Sequence, residues 1–257
     1  MKRNYKVLLI TFVVILLLTS AIVYAQTANT ATEEIKVVSS EMINKSSEIL
    51  NDLNSQDTIS DTKVVYDELQ EKNIYTVSNS KYTINLDESN NLVGIYTKGT
   101  SPIRTRSLCD KEAAKEMIVA KYEELGLPSE YELSYLEKYD DEIWQANFEK
   151  NYNGIYNKYE SVKVYFIPEN DEIVALTVFN EAPTNSSVTI SEEDAVLTAA
   201  NSLDVSSSEI VSATLSMEKS ESDESIHPSW VVQASNNSIV FVDANNNAVI
   251  GGDSINE

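Results

Sequence analysis

The chain has 257 residues, enough for one large domain or two small ones. About 42% of its residues are hydrophobic, so a packed core can form. Its 41 acidic and 19 basic residues give a formal charge of -22. This charge argues against proteins that bind nucleic acid or anionic lipid through lysine and arginine clusters, and it suits a cationic partner.

Residues 1–25 are predicted to be a targeting segment. Basic residues precede an apolar run from Val7 to Leu18, as in export signals. Val23 and Ala25 favour cleavage before Gln26, and an uncleaved membrane anchor is the alternative. Either outcome places the rest of the chain outside the cytoplasm, secreted or held on the outer face of the membrane.

Residues 26–57 are predicted to form a polar linker followed by an amphipathic helix over Glu33–Leu53. Ile35, Met42 and Ile49 recur every seven residues and give the helix an apolar face. We expect this face to pack on the domain that follows. A stalk or a self-association surface is the alternative.

Residues 58–106 are predicted to be rich in β-structure and are a candidate degenerate module. The loop over Lys98–Arg106, which contains Gly99 and Pro102, is the expected boundary. The predicted strands are Lys63–Leu69, Ile74–Val77, Tyr82–Leu86 and Leu92–Thr97.

Residues 107–182 are predicted to form a first complete module. A helix over Cys109–Leu125, capped by Ser107 or Asp110, ends at Gly126. The predicted strands that follow are Tyr131–Tyr139, Ile143–Glu149, Ser161–Ile167 and Ile173–Phe179.

Residues 188–253 are predicted to form a second module. Its helix, Ser191–Leu203, has Ser191 as N-cap and Asp194 in a variant of the capping box. Asparagine-rich turns separate its later strands, which predicts an antiparallel meander. The strands are Glu209–Met217, Trp230–Val232, Ile239–Val242 and Ala248–Ile250.

The two modules have the same order of elements, which indicates an internal repeat. The start of one helix, Cys109–Ala113, aligns with Ser191–Ala195, and Trp144 aligns with Trp230. The strand Val164–Ile167 aligns with Ile239–Val242. Such repetition predicts an α+β fold, with each tryptophan in the core of its own module.

These residues carry a resemblance to a known family. Trp230 with two valines, the strand Ile239–Val242 and the final Val249-Ile250-Gly251 resemble the end of a PepSY domain. Trp144 and the strand Val162–Ile167 resemble exported clostridial and bacillar proteins with repeated PepSY-like units, the YcdB/YcdC type. The resemblance extends over residues 107–252 and more loosely over 74–97. It implies tandem PepSY-like modules, each a helix packed across an antiparallel sheet, after an N-terminal signal or anchor helix.

Few residues offer catalytic or metal chemistry. Cys109 and His227 are the single cysteine and the single histidine, and a nucleophile–base pair would need His227. The carboxylate triplet Asp140-Asp141-Glu142 and the loop of acids over Glu218–Glu224 could hold a cation, but solvated turns explain both. The cluster Tyr152, Tyr156 and Tyr159 could serve as a binding surface or as half-buried strand residues.

We therefore predict no catalytic, cofactor-binding or metal-binding residues and no bound cofactor, and we do not expect an enzyme. PepSY domains are associated with peptidase propeptides and are thought to inhibit or chaperone peptidases. The resemblance implies an extracytoplasmic binding or regulatory protein whose partner is a protein or peptide, such as a secreted peptidase. The alternative is a structural or envelope-assembly protein that self-associates through the helix at residues 33–53.

Overall fold

The computed structural model describes residues 36–68, 71–99 and 108–253. The predicted signal or anchor, the linker and the first residues of the helix predicted at Glu33–Leu53 lie outside the described residues, as does most of the loop over Lys98–Arg106. None of the helices that the structure describes is long and apolar enough to cross a membrane.

The described elements repeat one order three times, a helix followed by four strands. The first set is α1 (Ser40–Asp52), β1 (Asp61–Asp67), β2 (Lys72–Ser78), β3 (Tyr82–Leu86) and β4 (Leu92–Thr97). The second is α2 (Lys111–Glu124), β5 (Tyr131–Lys138), β6 (Trp144–Tyr152), β7 (Ile155–Ile167) and β8 (Glu172–Asn180). The third is α3 (Glu192–Leu203), β9 (Ile210–Lys219), β10 (Ile226–Ala234), β11 (Ile239–Asp243) and β12 (Val249–Asp253).

The twelve strands that the structure describes form two antiparallel sheets. The first two sets share an eight-stranded sheet, in the order β1-β2-β3-β4-β8-β7-β6-β5, and the third set forms a four-stranded sheet, β12-β11-β10-β9. The fold is therefore α+β and mostly sheet, as expected. Residues 107–182, predicted as a module with a helix packed across an antiparallel sheet, share that sheet with the preceding set, because the last strands of the two sets, β4 and β8, pair with each other. This pairing covers an edge that each meander would otherwise expose.

Each helix begins at a side-chain cap. Ser39 accepts the Met42 amide at 3.2 Å and caps α1 at Ser40. The helix predicted over Glu33–Leu53 is therefore wrong for the described residues 36–39, which precede the cap. Asp110, one of the two expected caps, accepts the Ala113 amide at 2.9 Å. Ser191 caps α3 as predicted. In each case the capping side chain accepts a hydrogen bond from a first-turn amide that has no partner within the helix. The cap therefore fixes the residue at which the helix starts.

The eight-stranded sheet packs on α1 and α2, and the four-stranded sheet packs on α3. Ile49 and Leu50 of α1 and Ile118 of α2 belong to the larger core. Within it the ring of Tyr122 stacks on that of Phe148, with centroids 3.9 Å apart. The smaller core is built around Ala195 and Ala199, whose short side chains let α3 lie close to its sheet.

The aligned tryptophans occupy matching positions in their sheets. Trp144 lies opposite Phe166, and Trp230 lies opposite Val242. The predicted alignment of the strand Val164–Ile167 with the strand Ile239–Val242 is wrong by one residue. It matches residues whose side chains lie on opposite faces of their sheets. Tyr75, opposite Leu86, takes the corresponding place in the first set, which has no tryptophan.

The two tryptophans differ in burial. Trp144 is 4% exposed and belongs to the larger core, as expected. Trp230 is only partly buried, although it packs against the smaller core, and its indole Nε1–H donates to the Ile190 carbonyl at 3.0 Å. A four-stranded sheet under a short helix covers less of a large ring than an eight-stranded sheet under two helices.

Candidate binding groove

An open cavity of about 650 Å³ lies where the first and second sets meet. It is lined by α1, the start of β2, the β3–β4 turn with the start of β4, the segment from the end of α2 to the start of β5, Glu160 of β7, and the end of β8. The apolar lining residues are Ile49, Leu92, Val93, Leu125, Leu127, Pro128, Val178 and Phe179. We call this cavity the groove.

At the groove, β4 and β8 pair over only part of their length. Their ladder has three pairs and ends at Gly94 and Thr177, although β4 starts at Leu92 and β8 continues to Asn180. At Gly94 the strands are very close, since an added Cβ would lie 3.0 Å from the Leu176 carbonyl oxygen. Beyond this pinch the β4–β8 ladder stops, where Val93 is the extra residue of a bulge in β4: Asn85 lies opposite Gly94, but Leu86 lies opposite Leu92. We call the unpaired stretch between residues 92–93 and 178–180 the split.

The walls of the split are partly apolar and partly exposed. Leu92 and Val178 also pack against the larger core. Val93 and Phe179 line the groove and are half-buried. Neither is among the residues that form the larger core or pack against it. The chain therefore leaves apolar side chains available at the mouth of the groove, where they contribute little to the fold.

A wide bulge in β7 shapes one side of the groove. Ser161 lies opposite Glu149, but the next pair joins Asn157 to Lys150, so residues 158–160 are extra in β7. Ser161 Oγ donates to the Lys158 carbonyl at 2.7 Å across the bulge. The bulge redirects Glu160 into the groove lining, in keeping with the use of bulges to aim side chains.

Glu160 is a buried carboxylate with two close partners. Its oxygens accept from Lys150 Nζ at 2.7 Å and from the Tyr152 hydroxyl at 2.5 Å, and the Glu160 side chain is 6% exposed. The hydrogen bond to Glu160 raises the pKa of Lys150. The pKa of Tyr152 is raised by burial and then by the hydrogen bond to Glu160. Both groups therefore stay protonated and hold the carboxylate in one position.

Tyr131 lines the groove beside this cluster. Burial, followed by the nearby charge of Glu160, raises the pKa of Tyr131 to about 12. Its phenol is therefore a neutral hydrogen-bonding group at physiological pH.

Charged groups at the groove are unevenly distributed. Asp87, Glu130, Glu160 and Glu181 line it together with only two lysines, at positions 45 and 72. Glu181 also contacts Lys219 of β9 at 2.6 Å. Glu130 is exposed and has no partner of its own among the described residues, so it is free to meet a cation.

The predicted tyrosine cluster is divided by the structure. Tyr152 and Tyr159 lie together against Ile155, Met217 and Ile226, where the two sheets meet. Tyr156 instead donates to Glu132 at 3.1 Å from an exposed position. Two of the three rings thus serve packing between the sheets rather than a shared binding surface.

Ion pairs complete the junction between the two sheets. Lys158, in the bulge, bonds both carboxylate oxygens of Glu218 at 2.8 and 2.9 Å. Lys158 and Lys219 also lie over the Tyr159 ring, 5.2 and 5.3 Å from its centroid. Glu218 is therefore a structural residue of β9 rather than part of a cation-binding loop.

The acidic triplet is a turn. Asp140 accepts the amides of Glu142 and Ile143, each at 2.8 Å, and so closes the connection between β5 and β6. No group of metal-binding side chains occurs in the part of the chain that the structure describes.

His227 lies in β10 and not in the loop of acids, and it connects a chain of hydrogen bonds. Its Nε2 is 2.6 Å from Ser225 Oγ, and its Nδ1 is 3.3 Å from the buried carboxylate of Asp243. Ser225 Oγ also contacts Asp223 Oδ1 at 2.5 Å, and this bond lowers the pKa of Asp223. The serine has one hydroxyl hydrogen, so a carboxylate competes with the imidazole for it. A catalytic triad needs that proton to pass to the imidazole.

Cys109 is half-buried ahead of α2. Burial, followed by the charge of Glu169, raises the pKa of its thiol, which disfavours the reactive thiolate.

Sequence reasoning did not identify the groove residues. Val93, Glu160 and Phe179 each sit in an ordinary strand pattern, and only strand pairing brings them together. One local signal was available, the loss of alternation between Tyr156 and Ser161 that marks the bulge.

Comparison with known proteins identifies a similar fold but no family. No known protein family matches the chain, and no curated protein matches it. Among solved structures, the Bacillus megaterium YpeB C-terminal domain is similar, with a TM-score of 0.53 and 11% sequence identity. The match covers 86% of this chain and 100% of that domain. YpeB is a PepSY-containing protein, so the similarity supports a PepSY-like fold.

Proposed function

We propose that this protein is an extracytoplasmic, non-enzymatic binding protein that regulates a partner polypeptide held in the groove. The observation that carries the proposal is the split between β4 and β8. It leaves Val93 and Phe179 half-buried beside carboxylates in a groove of about 650 Å³. An open groove with apolar walls and a few fixed polar groups is typical of a binding site.

The PepSY-like fold and the export signal predicted over residues 1–25 support the rest of the proposal. The partner class that the PepSY resemblance implies is a secreted peptidase. The charge of -22 would speed association with a basic partner, and the effect would weaken in salt.

The alternative, self-association through the helix at residues 33–53, is less well supported. The described part of this helix buries Met42, Ile49 and Leu50 in the core of the same chain. Its apolar face therefore favours packing within the chain.

The experiment is an inhibition and binding assay against secreted peptidases of the protein's own host. Val93→Asp puts a charge in the groove, and Val211→Asp puts the same charge at a 61% exposed position on β9 as the matched control. We expect Val93→Asp to weaken the effect on the peptidase about tenfold or more, as for a central interface residue, and Val211→Asp to leave it unchanged. Equal behaviour of the two variants would contradict the groove as the site.

Export is tested separately by N-terminal sequencing of the protein from its host. A mature chain that begins at Gln26, or an intact Met1 in the membrane fraction, fits the proposal. Recovery of the protein from the cytoplasm contradicts it.

A further inference from the structure

The last strands of the three sets carry the same irregularity. In each set one extra residue interrupts the pairing of the last strand with the strand before it, and these residues are Val93, Val174 and Ile250. The three bulges therefore align β4, β8 and β12 residue by residue. The matching positions two residues after the bulge are Ile95, Leu176 and Gly252.

The pairing of β4 with β8 joins matching positions. Ile95 lies directly opposite Leu176, its match in the bulge alignment. The antiparallel pairs on either side exchange the next matching positions, and they are Gly94 with Thr177 and Tyr96 with Ala175. The two sets are thus joined about a local twofold axis, as in the isologous interface of a symmetric dimer. This strand edge is therefore self-complementary.

β12 presents the corresponding edge in the third set, and Glu221 occupies it. Among the described strands, β12 pairs with β11 alone. On the other side of β12 the Glu221 amide donates to the Ile250 carbonyl at 2.9 Å, and the Gly252 amide donates to Glu221 Oε1 at 3.1 Å. Glu221 thus binds a backbone acceptor and a backbone donor that a neighbouring strand would use. Covering an edge in this way prevents edge-to-edge association.

We propose that the β12 edge is a self-association surface that Glu221 keeps closed, and that its partner is a second copy of this chain. Without Glu221, two copies would pair through β12 about a twofold axis, with Gly252 opposite Gly252 as Ile95 lies opposite Leu176. The dimer would contain one eight-stranded sheet from two third sets, like the sheet that the first two sets already form. None of the residues of β12 lines the groove, and neither does Glu221, so the inference goes beyond the proposed function.

The carboxylate of Glu221 opposes pairing in two ways. It competes for the Gly252 amide, and hydrogen bonds to a charged acceptor are stronger than those between amides. It would also bring like charges together in a dimer of a chain whose formal charge is -22. Gly251 allows the carboxylate to lie this close, since a Cβ added there would be 3.0 Å from Glu221 Oε1. Removing the carboxylate therefore frees the edge and lowers the repulsion.

The test measures the oligomeric state of the protein and its variants by sedimentation velocity over a dilution series. Glu221→Ala removes the carboxylate, and a second variant replaces residues 220–225 by Asn-Gly, a two-residue hairpin turn that joins Lys219 to its paired residue Ile226. Glu48→Ala, which removes an exposed carboxylate from α1, is the control. We expect the dimer dissociation constant to fall at least about tenfold in both edge variants, the change expected when a competing hydrogen bond to a charged group is lost, and to stay unchanged in the control.

Amide hydrogen exchange places the association at β12. The Gly252 amide of Glu221→Ala should exchange more slowly as the protein concentration rises, because the second copy accepts its hydrogen bond. A folded Glu221→Ala variant that associates no more readily than the parent would overturn the proposal. Association without protection at Gly252 would also overturn it, since the copies would then meet at another surface. Circular dichroism checks that each variant folds, and the single substitution decides the outcome if the loop variant does not.

Discussion

Replacing each tryptophan by phenylalanine separates ring size from the indole N–H. Trp144 is 4% exposed, and its Nε1 has no hydrogen-bond partner among the described residues. Trp230 is partly buried and donates to the Ile190 carbonyl at 3.0 Å. The more deeply buried residue should therefore tolerate phenylalanine better.

The magnitudes follow from the two environments. At Trp144 the smaller ring costs about 1–2 kcal/mol of packing, and removing an unpaired buried N–H returns about 1–3 kcal/mol, so the net change is about zero. At Trp230 the variant loses a hydrogen bond and some packing, which together cost about 1.5–2 kcal/mol. Trp144→Ala, by contrast, should cost about 3–5 kcal/mol because it leaves a cavity.

The assay is urea denaturation followed by circular dichroism and fluorescence. The chain has two tryptophans, so each phenylalanine variant leaves one reporter, in the eight-stranded or in the four-stranded sheet. Coincident transitions would indicate that the sheets unfold together. A larger loss for Trp144→Phe than for Trp230→Phe would refute the reasoning from the unpaired N–H.

Three other experiments test the junction, the groove and the prediction that Ser225 is not a catalytic serine. Lys158→Met should lower stability by about 1–2 kcal/mol, because it leaves the buried Glu218 carboxylate without its ammonium, and Glu218→Gln in the same chain should restore part of the loss in a denaturation series. Tyr131→Phe should remove a tyrosinate absorbance that rises near pH 12. The pKa of Tyr131 in the folded protein exceeds the value of about 10 in the unfolded chain. The stabilisation from Tyr131 is therefore complete below a pH of about 10 and is lost as the pH rises through about 12. A fluorophosphonate should not label Ser225, and labelling that disappears in His227→Ala would show a catalytic serine.

Local features of the fold were predictable where the signal lies within a few residues. Asp110 and Ser191 cap helices as their sequence positions indicate, and Tyr82–Leu86 and Leu92–Thr97 are strands with the predicted bounds. Gly126 follows α2 with a φ of 61°, the left-handed conformation that ends helices.

Features that depend on pairing between distant strands were not predictable. The shared eight-stranded sheet requires β4 to meet β8, and nothing near Ile95 or Leu176 specifies that partner. The predicted strand Ser161–Ile167 is shorter than β7 because three extra residues interrupt its alternation at the bulge. The contact between His227 and Asp243 needs the register of the β10–β11 hairpin, in which Asp243 lies opposite Ser229.

The central claim is that the groove holds the partner, and amide hydrogen exchange measured by NMR tests it most directly. The measurement compares the free protein with the protein saturated by a secreted peptidase that it binds. The account predicts new protection at amides of residues that line the groove, such as Leu92, Leu127 and Val178, and unchanged exchange in α3 and the four-stranded sheet. Protection confined to the four-stranded sheet, with none at the split, would contradict it.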